Sequence, residues 1–207
     1  MKYLFKCQWL FVLGLVGLAA CSDDDDETSV KQGFRVDDHK YSLSEAYTTV
    51  QENADYFTHQ IILTGEGLDV TEGPEFDGSS DVVSFSLLSE TEVLAEGEYT
   101  IRDTPNEPGE SSLAVAYVNF SADDVDQDYE KGYAGAGGKI IVSKDGDTYT
   151  FKVTCGATVT IISAGSGTPI FIPADGDLQV QYKGELTDVT NVPDDLRQPA
   201  GRRLFFP

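Results

Sequence analysis

Apolar residues recur at every second position over much of this chain, and that period constrains its fold more than any other feature. Leu178, Val180, Tyr182, Gly184 and Leu186 alternate with Gln179, Gln181, Lys183 and Glu185. Successive side chains of a strand point to opposite faces, so the pattern buries one face and wets the other, as in an antiparallel sheet. Tyr149, Phe151, Val153 and Cys155 repeat it against Thr148, Thr150, Lys152 and Thr154. Lys144-Asp145-Gly146-Asp147 joins that run to Lys139–Ser143, and Asp-Gly between two alternating runs marks a hairpin.

The same reading places strands at Phe57–Leu63, Val82–Leu88, Glu98–Arg102, Leu113–Phe120 and Thr158–Ile162. Pro169 and Pro173 push the run Pro169–Ile172 to a sheet edge. Phe34–Val36 and Lys40–Leu43 form an opening hairpin through Asp37-Asp38. Leu43, Tyr47 and Val50 suggest one short helix over Leu43–Gln51. Gly65–Gly78, Asp103–Glu110 and Ser121–Gly138 read as loops, and Thr187–Pro207 shows no alternation. Apolar residues make up 40% of the chain and charged residues 24%, so a core is affordable. The expectation is one all-β domain over residues 33–190, an antiparallel sandwich or a meandering, calycin-like barrel of about 8–10 strands. Residues 191–207 form a C-terminal tail.

Charge narrows the partners. The 207 residues hold 14 Lys and Arg against 36 Asp and Glu, a formal −22. A phosphate backbone needs a basic partner, so nucleic acid is not expected. Docking on an anionic membrane by charge alone is disfavoured for the same reason. Three Cys cannot build a disulfide framework.

The N-terminus reads as an address. Lys2 and Lys6 precede the apolar run Leu10–Leu18, which is shorter than the ~20 residues that span a bilayer. It ends in Leu18-Ala19-Ala20-Cys21. Small residues before a Cys resemble the lipobox of bacterial lipoproteins, which makes residues 1–20 a signal peptide. The resemblance implies that the Cys21 thiol receives a diacylglycerol and that its new amine is acylated, typically by palmitate. Two or three acyl chains, at ~0.8 kcal/mol per buried CH₂, hold a protein to a membrane where one does not. Losing Lys2 and Lys6 leaves 12 basic side chains against 36 acidic ones, or −24.

Ser22-Asp23-Asp24-Asp25-Asp26-Glu27 follows directly. As a charge block it is a solvated tether, residues 21–32 in all. Its place after Cys21 also resembles the export signal of Bacteroidota surface lipoproteins, which implies an outer-membrane protein facing the cell exterior. The later pieces His39-Lys40-Tyr41-Ser42-Leu43, Gly97-Glu98-Tyr99 and Tyr182-Lys183-Gly184-Glu185-Leu186, with the Lys139–Cys155 hairpin, are similar to small all-β lipoproteins of that group. That likeness bears on fold and brings no catalytic residue.

Chemistry is sparse. Gly135-Ala136-Gly137-Gly138-Lys139 lacks the Gly at 133 and the Ser or Thr at 140 of a phosphate loop. Gly165-Ser166-Gly167 lacks the nucleophile-elbow spacing. His39 and His59 make no metal motif, and His59 is in phase with Phe57, Ile61 and Leu63, so it faces a core. Cys155 sits on a buried phase and is expected to be inert. Asp124, Asp126 and Asp128 give carboxylates at alternate positions, a weak Ca²⁺ candidate whose EF-hand places hold Tyr129 and Gly135 instead of Gly and Glu. Tyr129 and Tyr133, with Tyr117, flank the longest loop and form a candidate ligand-binding rim. Asp126, Asp128 and His59 are the residues an enzyme would have to bring together.

The expected function is a lipid-anchored, non-catalytic binding module for a glycan, peptide or host ligand, without a cofactor. Its partners would be the membrane through the lipid on Cys21, and neighbouring surface lipoproteins or a transporter. The alternative is a structural, adhesive subunit of a fimbria-like assembly, with Leu204-Phe205-Phe206 as the donor segment.

Overall fold

The alternation becomes strands almost everywhere. A computed structural model describes residues 32–36, 38–69, 77–121, 129–162, 170–174 and 176–190. The strands are β1 (Gly33–Val36), β2 (His39–Ser42), β3 (Glu45–Glu52), β4 (Phe57–Thr64) and β5 (Leu68–Asp69). Next come β6 (Asp77–Ser89), β7 (Gly97–Ile101), β8 (Glu110–Ser111), β9 (Ala114–Ser121) and β10 (Lys131–Ala136). Last are β11 (Lys139–Asp145), β12 (Thr148–Thr154), β13 (Ala157–Ile162), β14 (Ile170–Pro173), β15 (Gln179–Glu185) and β16 (Thr187–Asp188). No helix occurs among the described residues.

One large sheet runs β14-β13-β10-β9-β6-β8-β7-β11-β12-β15-β1-β2, and β6 also carries β4, β3 and β16 along its other edge. The sheet bends at β8, which pairs with β6 on one side and β7 on the other. It therefore has two wings. The first holds β2, β1, β15, β12, β11 and β7; the second holds β16, β3, β4, β6, β9, β10, β13 and β14. Their inner faces share one core, with Phe34, Tyr99, Phe151, Val180 and Tyr182 from the first wing and Ile61, Phe85, Ala116 and Tyr133 from the second. Phe85 meets Phe151 edge-on across the gap, ring centroids 5.8 Å apart. This is the sandwich solution; the path ends at β2 and β14 without closing, so the barrel alternative is set aside. Pairing is antiparallel except for β7–β8 and β16–β3.

Both expected hairpins form. Val36 pairs with His39, and Asp145 with Thr148 around Gly146 at φ 61°. Three expectations need correction. Leu43–Gln51 is no helix: Glu45–Glu52 is β3, registered along all of β4. Ser121–Gly138 is not wholly a loop, because β10 lies within it between β9 and β13. Thr187-Asp188, where no alternation marks a strand, forms β16 beside Tyr47-Thr48. The sixteen strands of the described residues also exceed the expected number, through β3 and β10 as well as the two-residue pieces β5, β8 and β16.

The second wing is covered on its outer side too. Tyr47, Ile62, Leu68, Val82 and Phe120 cluster there. Val115, Ala134 and Ile161 form a neighbouring group against Tyr117 and Tyr129.

Candidate functional site

β4 turns His59 into the interior, 1% exposed, where its Nε2 lies 3.1 Å from the carbonyl oxygen of Thr91. Burial holds its pKa below the usual histidine value, against the opposing pull of that hydrogen bond. A neutral ring donating Nε2–H to a carbonyl is a structural arrangement. Cys155 is fully buried, and burial first, then Asp177, pushes its thiol up to about 12. That removes thiolate character at neutral pH.

The aromatic residues flanking the 121–138 stretch separate. Tyr133 is on β10, 4% exposed and inside the main core, where its hydroxyl bonds that of Tyr41. Tyr41 stacks on Phe34 with centroids 4.6 Å apart, and burial, with the Tyr133 contact next, holds its hydroxyl far above the usual tyrosine range. Tyr129 is on the opposite face of the wing, tilted against Tyr117 at 4.8 Å. Burial there raises the Tyr117 pKa to about 12. The structure thus does not bring Tyr129 and Tyr133 to one surface. Cys21, Ser22–Glu27, Asp124, Asp126 and Asp128 lie outside the described residues. Among the described residues, no three His, Cys, Asp or Glu side chains gather to hold a metal ion.

A polar knot stands at the base of that stretch. β9 gains one residue over β6 between the pairs Ser80–Phe120 and Val82–Tyr117, and Asn119 absorbs the bulge at φ 50°. Asn119 N–H donates to Asp81 Oδ1 at 3.1 Å, and its Nδ2 donates to Glu130 Oε2 at 2.9 Å. Burial, with a smaller push from Glu130, raises the Asp81 pKa against the Asn119 bond. The knot ties the end of β9 to β6 and to Glu130.

The outer face of the first wing is polar and faces solvent. Register aligns its wet positions into cross-strand rows. Lys40 stands opposite Arg35, Arg35 opposite Gln179, Gln179 opposite Thr154, and Thr154 opposite Lys139. One step along, Gln181, Lys152, Ile141 and Glu98 form the next row; Lys183 and Thr150, opposite each other, with Ser143 opposite Thr150, form the third. Arg35 Nη2 donates to Gln179 Oε1 at 3.2 Å, and Lys139 Nζ donates to Glu98 Oε2 at 2.8 Å. Lys40, Lys139, Lys152 and Lys183 are exposed.

Each of these residues is legible in the sequence as the wet half of a strand. Their alignment is not, because β1 and β15 are joined across most of the chain. No family model matches the chain, and neither a curated protein nor a solved structure matches it.

Proposed function

We propose that this chain is a lipid-anchored outer-membrane protein facing the cell exterior, whose all-β body acts as a non-catalytic binding module. The observation that carries the reading is the order of its N-terminus: a short apolar run, Leu18-Ala19-Ala20-Cys21, then Ser22 and five consecutive acids. Acylation at Cys21 supplies the anchor. The stretch between Cys21 and the body carries five consecutive acids, whose mutual repulsion favours holding the body off the headgroups. A sandwich with its core between two wings presents broad, rigid, polar surface to whatever reaches it, which suits capture by contact.

The test is made on intact cells of a Bacteroidota host producing the full chain. Wild type should incorporate labelled palmitate and be shaved from the surface by external protease. Cys21→Ser should lose the label. Replacing Asp23–Glu27 by Ala should keep the label and lose the protease sensitivity. A labelled protein that is cut only after the outer membrane is permeabilised would overturn outward display.

A further inference from the structure

From the outer face of the first wing we infer a docking surface for an acidic polysaccharide, one carrying carboxylates or sulfates spaced along a hydroxyl-rich chain. The inference rests on the binding-module reading and names the ligand class and the face. Arg35, Lys40, Lys139, Lys152 and Lys183 all lie there. Of the remaining described cations, Arg102 and Lys131 lie in the second wing or at its junction, and Lys144 lies in the β11–β12 turn region. Within the three rows the acid is Glu98, already held by Lys139. Five of the eight described cations of a chain of net −22 therefore stand in these rows, with Glu185 and Asp145 flanking Thr148 in the row beyond.

Their spacing points to the ligand. Lys183 is the diagonal neighbour of Lys152 across β15–β12, and Lys152 of Lys139 across β12–β11. Diagonal neighbours on a sheet face sit ~7–8 Å apart. This is close to the Debye length of ~8 Å at physiological salt, so repulsion among the lysines of the empty face is partly screened. Gln179, Gln181, Thr150, Thr154 and Ser143 fill the positions between them. Amides and hydroxyls there can both donate and accept, which is what sugar hydroxyls require. A nucleic acid fits less well. Its duplex carries a charge every ~1.7 Å, far denser than this ladder, and would meet the acidic remainder of the molecule. The rows also hold no aromatic ring on which a base could stack; their large apolar side chain is Ile141, 39% exposed.

The experiment is affinity electrophoresis of the full chain in detergent micelles, through gels containing polygalacturonate, chondroitin sulfate, neutral dextran or single-stranded DNA. The acidic polysaccharides should retard the protein and dextran should not. The triple variant Lys139→Thr, Lys152→Thr, Lys183→Thr should lose ~10-fold or more in affinity with an unchanged melting curve. Lys131→Thr, in the second wing, should change it less than about twofold. No retardation of folded wild type would overturn the ligand class, whatever the surface-display experiment shows. Equal retardation by DNA, or equal losses from on-face and off-face variants, would overturn the assignment to this face.

Discussion

His59 shows how one side chain couples this fold to pH. Its folded pKa lies below the unfolded value of ~6.5 because burial disfavours the imidazolium. Between those two values the unfolded chain binds more protons than the native one. Stability is therefore full above ~6.5 and is lost as pH falls toward the folded pKa, by at most ~1.4 kcal/mol per pH unit. Asp81 has the opposite sign: its raised pKa means that acidification relieves a buried charge. The two are separated by comparing wild type with His59→Gln, whose amide can still donate to the Thr91 carbonyl and does not titrate. In urea unfolding at several pH values, wild type should lose more stability than the variant on going below ~6.5. Equal losses would mean that His59 titrates alike in the folded and unfolded chain and that burial does not shift it.

Gly135 is the corresponding case for an element, because it decides how β10 lies against its neighbours. A Cβ there would stand 2.2 Å from Cys155 Sγ and 2.6 Å from its Cβ, both in the tightly packed core. Gly135→Ala should therefore destabilise by ~1–3 kcal/mol in denaturant unfolding. Gly156→Ala, whose Cβ would meet nothing closer than 3.9 Å, should not. Equal effects would mean that contact of the new Cβ with Cys155 is not the cause. The same glycines explain why β10 was hard to read. Gly132 and Gly135 stand where a side chain would mark a face, so the alternation lapses although the backbone pairs on both edges. β3 was misread for a different reason. Ala46, Tyr47 and Thr48 are buried in succession because both faces of the second wing are covered, and a two-sided strand loses its period. Strands of the first wing, with one face wet, were legible nearly to the residue: Lys139–Ser143 and Thr148–Cys155 became β11 and β12. The strands of the candidate face could thus be read from the sequence, while the neighbours each strand would take could not. Local pattern fixes which side a residue faces, and only long-range pairing fixes what stands beside it.

At the scale of the molecule, charge acts on stability and on binding with opposite signs. With a net −22 and five of the eight described cations on one face, the many acids elsewhere repel one another. Exposed pairs such as Arg102–Glu110 at 3.3 Å return little, since such bridges contribute ~0–1 kcal/mol. Added NaCl screens repulsion among like charges beyond a Debye length, so the melting temperature of the full chain should rise from low to physiological salt. Retardation by polygalacturonate should fall over the same range, because attraction between the lysine ladder and a polyanion is screened as well. Choline chloride should reproduce both trends, since screening depends on ionic strength and not on the cation. The triple lysine variant, more acidic by three charges, should gain more thermal stability from salt than wild type while having little binding left to lose. A melting temperature that does not move with salt in either protein would mean that the acids are too widely spread to repel, and that the fold tolerates its charge by distance alone.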